Sequence, residues 1–134
     1  MNAIDPITLE VVRGFLVSTV FQMRATLIRT AYAPILYETL DFSCGLLTSE
    51  GELLAMSEDI SGHVFAMALG LGAVREKFKG KIYPGDVLAV NDPYTGGTHL
   101  NDIAFYTPFF VGEKLLLFIG VRAHHSDVGG ATPG

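Results

Sequence analysis

Apolar residues recur at helical spacing near the start of the chain. Between residues 6 and 32 they return every three to five positions, at Ile7, Val11, Phe15, Val20, Met23, Leu27 and Ala31. Asp5 can cap the free amides of a first turn, and Pro6 is tolerated there because its missing N–H would be unpaired anyway. The pattern predicts a helix over residues 6–32 that Pro34 ends, with an apolar stripe wide enough to pack on two sides.

A β-hairpin and a second helix follow an irregular segment at residues 38–42. Residues 44–48 and 53–56 are largely apolar and flank a polar turn that contains a glycine, as in a tight hairpin. Residues 64–78 have helical spacing, with a buried stripe of Met67, Leu71, Val74 and Phe78. Gly80 provides the stop signal of this second helix.

The second half of the chain has the pattern of strands. After a turn at residues 83–86, residues 87–90 form a short, fully apolar strand. Residues 103–111 and 114–123 flank a Gly-Glu turn as a longer hairpin, and apolar residues occupy both faces of its second strand. We therefore predict an α+β fold in which a long N-terminal helix, a second helix and mainly antiparallel hairpins form part of a larger sheet-based domain.

Length and composition indicate how large this fold is and how much apolar surface it exposes. The 134 residues are enough for one domain with a core. Hydrophobic residues make up 49% and charged residues only 17%, so some apolar surface should meet a partner or more of the same chain. Because residues 131–134 follow a Gly-Gly pair with no element that would close the fold, we expect the N-terminal part of a longer domain.

Charge and cysteine content exclude several classes of function. The net charge is −5 and no run of Lys or Arg occurs, which argues against nucleic acid as a partner. The single cysteine, Cys44, cannot form an internal disulfide and is best explained as a small buried hydrophobe. With no signal pattern and no uninterrupted apolar run long enough to span a bilayer, we expect no membrane partner and a cytoplasmic location.

Two polar clusters flank the predicted long hairpin. The first cluster spans residues 91–102 and the second spans residues 122–130. Their histidines and aspartates include His99, Asp102, His124, His125 and Asp127. Because a hairpin returns to its starting point, both clusters should lie at one place, which is how a mononuclear metal site is built.

The chemistry of these side chains limits which metals the site could bind. Imidazole and carboxylate together suit Zn, Mn, Fe or Co, whereas calcium would require oxygen ligands alone. A single cysteine excludes a thiolate-rich structural zinc site. The competing interpretation is that a histidine near a strand end is a structural, hydrogen-bonded residue, and we assign that role to His63. Burying the clusters without a cation would cost about 1–3 kcal/mol for each unpaired polar group.

Two further segments can be interpreted in more than one way. Gly96-Gly97-Thr98 could cradle an anion with its amides, but no Walker lysine follows, so a turn is the better interpretation. Glu38 and Asp41 lie between apolar elements, where a buried carboxylate needs a partner. For Asp41 that partner could be a metal, an arginine such as Arg24 or Arg29, or water.

At these residues the chain resembles the hydantoinase B/oxoprolinase family. Residues 91–102 and 122–130 both match signatures of that family, and residues 5–11 and 38–43 are similar as well. The resemblance covers essentially all 134 residues, and family chains are several times longer. It implies that residues 1–134 are the N-terminal part of a hydantoinase B-type metal-binding domain, truncated at the C-terminus.

The resemblance implies the metal-bearing subunit of an ATP-dependent cyclic amidohydrolase of the hydantoinase, oxoprolinase or lactamase type. A hydantoinase A-type partner subunit would bind ATP and phosphorylate the carbonyl oxygen of a small cyclic amide. A metal-bound hydroxide would then attack the activated carbon and open the ring. The resemblance thus implies one divalent metal, with Zn or Mn favoured over Fe or Co, and a hetero-oligomer that is active only with the partner and the rest of the chain.

The resemblance also assigns residues to roles. It implies Asp41, His99, Asp102 and His124 as metal ligands, of which Asp41 comes from the resemblance alone. His125 and Asp127 would orient the ligands or relay a proton. Two different functions are compatible with the same residues: an acetone carboxylase-type subunit that carboxylates a phosphorylated enolate at the metal, and a non-catalytic fragment that binds a metal or a partner.

Overall fold

A computed structural model describes residues 5–57 and 59–132, so the last two residues of the segment 131–134 lie outside the described residues. In chain order the elements are helix α1 (Pro6–Thr30), helix α2 (Pro34–Tyr37), strand β1 (Phe42–Thr48), strand β2 (Leu53–Met56), helix α3 (Ser61–Lys77), strand β3 (Leu88–Val90), strand β4 (Asp102–Val111) and strand β5 (Lys114–His124). The strands form one antiparallel sheet in the order β2-β1-β5-β4-β3. The predicted α+β class is confirmed.

Helix α1 begins as predicted but ends earlier. The Asp5 side chain accepts a hydrogen bond from the Thr8 amide at 3.0 Å, and Pro6 occupies the first turn. The helix ends at Thr30, and Pro34 does not end it but opens the short helix α2. The prediction for Pro34 was wrong because proline disfavours helix in the residue before it and is itself favoured in a first turn.

The predicted two-sided packing of α1 is also wrong for the residues described. Ile7 and Phe15 are 74% and 70% exposed, whereas Val20 is the fully buried residue of the helix. The C-terminal half of α1 packs on β1 and β2, and its N-terminal half extends past them. Contrary to the expectation from sequence, α1 is long and apolar enough to cross a membrane by length and composition alone. One such helix is weak evidence for a span, because core helices and signal sequences satisfy the same criterion.

The sheet lies between two helices. On one face, Met67 and Leu71 of α3 pack against Phe118 of β5 in one buried cluster. On the other face, Val20 of α1 packs in a second cluster that includes the buried thiol of Cys44, as predicted for this residue. Strand β5 therefore contributes to both faces, as the apolar pattern of residues 114–123 predicts.

The hairpin predictions are confirmed with small changes of boundary. Strands β1 and β2 flank a turn in which Gly51 has a φ of 97°. Helix α3 begins three residues earlier than predicted, at Ser61, and ends at Lys77. Strands β4 and β5 pair over their whole length, and β5 pairs on its other side with β1. This register decides which polar residues meet at the end of the sheet.

Candidate metal centre

Three neighbouring strands bring polar residues to one end of the sheet. Asp102, the first residue of β4, pairs directly with His124, the last residue of β5. Asp41 immediately precedes β1, and its carbonyl oxygen accepts a hydrogen bond from the His124 amide at 3.0 Å. Asp41, Asp102 and His124 are therefore adjacent because of the strand register, although they lie far apart in the sequence.

The loop between β3 and β4 adds His99. Asp92 caps a short 3-10 turn at Pro93–Thr95, and Gly96 follows with a φ of 96°. A Cβ atom on Gly96 would lie 2.4 Å from the backbone nitrogen of Gly70 in α3, so only glycine fits this contact. The loop then returns to β4 through a hydrogen bond from the Asp102 amide to the His99 carbonyl at 3.1 Å. The glycine pair thus has the turn role that the sequence favours.

The side-chain atoms of His99, His124 and Asp102 are separated by the distances expected of ligands that share one cation. His99 Nε2 lies 3.1 Å from His124 Nδ1, and His124 Nδ1 lies 3.5 Å from Asp102 Oδ1. Asp41 Oδ2 is 3.7 Å from the same His124 nitrogen. Ligands bound at about 2.0–2.2 Å from a metal lie about 3–3.5 Å from one another in tetrahedral or octahedral geometry.

The two oxygens of Asp102 differ in a way that fits a metal ligand. Oδ2 accepts a hydrogen bond from the Thr98 hydroxyl and lies 3.4 Å from Nη2 of Arg122. Oδ1 is buried and has no hydrogen-bond partner among the described residues. An unpaired buried acceptor costs about 1–3 kcal/mol, which a divalent cation between Oδ1 and the two histidines would offset. The nitrogen and carboxylate donors present therefore fit such a cation.

The protonation states agree with this donor role. Burial acts to raise the pKa of Asp102, but the Thr98 hydrogen bond and the charges of His99 and Arg122 outweigh it and hold that pKa below its ordinary value. Burial lowers the pKa of His63, against the opposing effect of Asp102. The environment thus favours an ionised Asp102 carboxylate, the form that binds metals, and a neutral imidazole at His63.

His63 belongs to this cluster, which could not be seen from its place in the sequence. It is buried, and its Nδ1 lies 3.2 Å from Ser43 Oγ, which agrees with the hydrogen-bonded role assigned to it. Its Nε2, however, lies 3.6 Å from Asp102 Oδ2, and it forms a second possible donor group with Asp41 and Asp102. No sequence signal located it, because the position depends on how the first turn of α3 crosses the sheet.

Arg122 is a second residue that sequence reasoning missed. Its side chain is 1% exposed, and its Nη2 donates to Thr98 Oγ1 at 2.7 Å while its Nη1 donates to the Gly96 carbonyl at 3.3 Å. The guanidinium therefore joins the glycine loop to Asp102. A sequence signal did exist, since Arg122 is a charged residue that directly follows the uncharged run of residues 115–121 in its strand.

The structure does not bring His125 and Asp127 into the cluster. Asp127 Oδ1 accepts a hydrogen bond from the Gly129 amide at 2.7 Å, and the ring of His125 packs edge-on against Phe105. Within residues 5–57 and 59–132, no hydrogen bond or ion pair joins either side chain to the proposed ligands.

Arg24 does not pair with Asp41, although it has the charge to do so. Its Nε instead lies 2.7 Å from Oδ1 of Asp59. Among the ion pairs of the described residues, Asp41 is joined to His124 at 3.7 Å and to neither Arg24 nor Arg29.

The cluster has a buried side and an open side. The side chains of His63 and Asp102 are 5% and 3% exposed, whereas those of Asp41 and His99 are 31% and 50% exposed. A small molecule would therefore reach the donors past Asp41 and His99.

Comparison with known proteins places these residues in a family context. The sequence model of the hydantoinase B/oxoprolinase family matches residues 5–134. The 5-oxoprolinase of Saccharomyces cerevisiae is 41% identical over 132 residues, which are 98% of this chain and 10% of that protein.

Two solved structures share the fold. The ATP-dependent caprolactamase from Pseudomonas jessenii superposes with a TM-score of 0.91 at 32% identity, over 98% of this chain and 23% of that one. A nucleotide-free acetone carboxylase superposes with a TM-score of 0.89 at 25% identity, over 98% of this chain and 18% of that one. The chain thus spans a quarter or less of the length of these relatives.

Proposed function

This chain belongs to the hydantoinase B/oxoprolinase family, and we propose that it supplies the metal centre of an ATP-dependent cyclic amidohydrolase of the hydantoinase, oxoprolinase or lactamase type. The observation that carries the proposal is the meeting of His99, Asp102 and His124 around the unpaired Oδ1 of Asp102. Asp41 is the fourth proposed ligand, because it lies against His124 on the open side.

The proposed chemistry follows from this donor set. A divalent cation held there, Zn or Mn in preference to Fe or Co, would lower the pKa of a coordinated water to about 7 and supply hydroxide at neutral pH. The role of the chain is to fix the donors: the β4–β5 register sets Asp102 against His124, and the glycine loop sets His99 beside them. The exposed side chains of His99 and Asp41 border the approach of a cyclic amide.

ATP is assigned to a partner. The caprolactamase and the acetone carboxylase are both named as ATP-dependent, and this chain has no Walker lysine after its glycine loop. We propose that a hydantoinase A-type subunit binds ATP and phosphorylates the carbonyl oxygen of the cyclic amide. The intact enzyme would then be a hetero-oligomer in which this chain provides the hydrolytic half of the reaction.

Variants of the ligands test the proposal in the intact protein combined with its A-type partner. We expect His99→Ala or His124→Ala to reduce bound metal to a small fraction of one equivalent and to abolish ATP-dependent ring opening of hydantoin, 5-oxoproline or caprolactam. ATP use by the partner should partly survive, because its site lies on the other subunit. Full metal content by elemental analysis in either variant would contradict the assignment.

A second candidate function is carboxylation. The superposition on acetone carboxylase favours it, since that protein, named for ATP-dependent acetone carboxylation, has the same fold in this region. Assays of the intact protein with its A-type partner separate the two functions. Consumption of acetone with bicarbonate and ATP supports the carboxylase, and ring opening of a lactam supports the hydrolase.

A further inference from the structure

We propose that His63 is a positioning residue of the metal centre, which together with Thr98 and Arg122 holds Oδ2 of Asp102 so that Oδ1 is the oxygen left to bind the metal. The inference rests on the metal site proposed above. It adds a residue outside the four proposed ligands and assigns different tasks to the two oxygens of Asp102.

The contacts of Asp102 support this division. Four side chains approach Oδ2: the Thr98 hydroxyl donates to it, His99 Nδ1 lies at 3.2 Å, Arg122 Nη2 at 3.4 Å and His63 Nε2 at 3.6 Å. Oδ1 has no hydrogen-bond partner in the described part of the chain and faces His124 Nδ1 at 3.5 Å. A carboxylate held on one oxygen by several side chains presents its other oxygen at a fixed angle.

His63 is itself fixed by the strand beneath it. The residue lies in the first turn of α3, is 4% exposed, and places Nδ1 3.2 Å from the hydroxyl of the fully buried Ser43. The Ser43 hydroxyl has two possible acceptors, the Ile60 carbonyl at 3.5 Å and Nδ1 of His63 at 3.2 Å. When it donates to the nearer Nδ1, the ring carries its hydrogen on Nε2, the nitrogen that faces Asp102. An ionised carboxylate favours this tautomer, because a lone pair on Nε2 would face the negative charge unfavourably.

The same geometry separates positioning from direct coordination. His63 approaches Oδ2, the oxygen of Asp102 that Thr98, His99 Nδ1 and Arg122 also approach. The other ring nitrogen of His99, Nε2, and Oδ1 of Asp102 lie 3.1 Å and 3.5 Å from His124 Nδ1, and His63 is not part of that group. His63 also forms a possible donor group with Asp41 and Asp102, so coordination through Nε2 is the competing outcome.

Metal affinity of the intact protein tests the proposal, with Mn²⁺ alone as the probe. We expect His63→Leu to weaken Mn²⁺ binding about 10–100-fold, the usual loss when a partner of a ligand is removed. His63→Gln should recover most of the affinity, because its amide N–H can take the place of Nε2–H. Tyr106→Phe is the matched control: it removes a buried hydrogen bond to the Met67 carbonyl at 2.7 Å and should leave affinity unchanged.

Pulsed EPR of the bound Mn²⁺ gives a second readout that needs no turnover. We expect two coordinated imidazole nitrogens, from His99 and His124, in both the wild type and His63→Gln. Three nitrogens in the wild type, a glutamine variant as weak as leucine, or a leucine variant of unchanged affinity would each overturn the inference alone. If His63→Leu does not fold, the nitrogen count and the glutamine variant still decide. Wild-type protein that binds no divalent cation would overturn the proposed function as well.

Discussion

At the scale of single residues, the site depends on the carboxylate of Asp102, whose two oxygens have very different numbers of hydrogen-bond partners. Asp102 has donors crowded on one oxygen and none on the other among the residues described, and Arg122 holds a buried positive charge against it. Such an arrangement stabilises an ionised carboxylate at a position where burial alone would favour the neutral form.

Gly96 is the residue where backbone geometry limits the site most. It combines a φ of 96° with a contact in which an added Cβ would lie 2.4 Å from the Gly70 nitrogen. Gly96→Ala should therefore destabilise the fold by more than the cost of a left-handed alanine, about 1–2 kcal/mol, and should weaken metal binding. Gly112→Ala is the matched control, since its φ of 60° is also left-handed but its Cβ would meet nothing within 4 Å. Equal free energies of unfolding in denaturant titrations of the two variants would show that the close contact between Gly96 and Gly70 has no effect on stability.

The Cys44 thiol gives a prediction for pH. Burial, with a smaller contribution from the charge of Asp59, raises its pKa from 9.0 to about 12. The folded protein should not react with a thiol-specific reagent at pH about 8, whereas the unfolded chain should react fully. Below pH 9 the thiol is protonated in both states, so the free energy of unfolding does not depend on its ionisation. Between pH 9 and about 12 only the thiol of the unfolded state ionises, so the free energy of unfolding should fall as the pH rises. Cys44→Ala should lack this loss, and rapid labelling of folded wild type would contradict the burial.

At the scale of elements, the β4–β5 hairpin creates the site and helix α1 does not take part in it. The hairpin could be predicted from its two apolar runs and short turn, and with it the meeting of Asp102 and His124. The contribution of Asp41 could not be predicted from spacing, because it depends on β1 pairing with β5 rather than on any local pattern. His63 was missed for the same reason, since α3 packs over a sheet whose strand order the sequence does not reveal.

In helix α1, hydrophobic periodicity predicts more burial than the structure shows. Its apolar stripe predicts burial along the whole helix, yet the sheet it packs on is long enough to cover only part of that stripe. A hydrophobic period identifies the helix and its face but not the length of the surface that covers it.

Two identical substitutions on α1 test this packing. Val20→Ala removes two methyl groups from a side chain that is 1% exposed and should cost about 2 kcal/mol of unfolding free energy. Val11→Ala, at a position 52% exposed, should change it by less than about 0.5 kcal/mol. Thermal or denaturant unfolding of the two variants of this chain measures the difference, and a similar cost at both positions would show that the stripe is covered along its length.

At the scale of the whole molecule, the chain corresponds to a small part of its relatives, and residues 5–57 and 59–132 contain one compact group of candidate metal donors. It spans 10% of the yeast oxoprolinase and 23% of the caprolactamase that share its sequence and fold. The pattern of two His/Asp clusters around a hairpin was enough to indicate where His99, Asp102 and His124 lie, but not Asp41 or His63. The open side of the cluster is formed by its most exposed donors, His99 and Asp41.

The central claim, that these residues hold one divalent cation, is tested most directly by metal analysis combined with an anomalous-scattering map of crystals of the intact protein. We predict about one equivalent of Zn or Mn per chain and a single anomalous peak within about 2.0–2.3 Å of donors from Asp41, His99, Asp102 and His124. The claim would be contradicted if protein that contains one equivalent of metal gave crystals with no anomalous peak at these residues, or with the peak elsewhere.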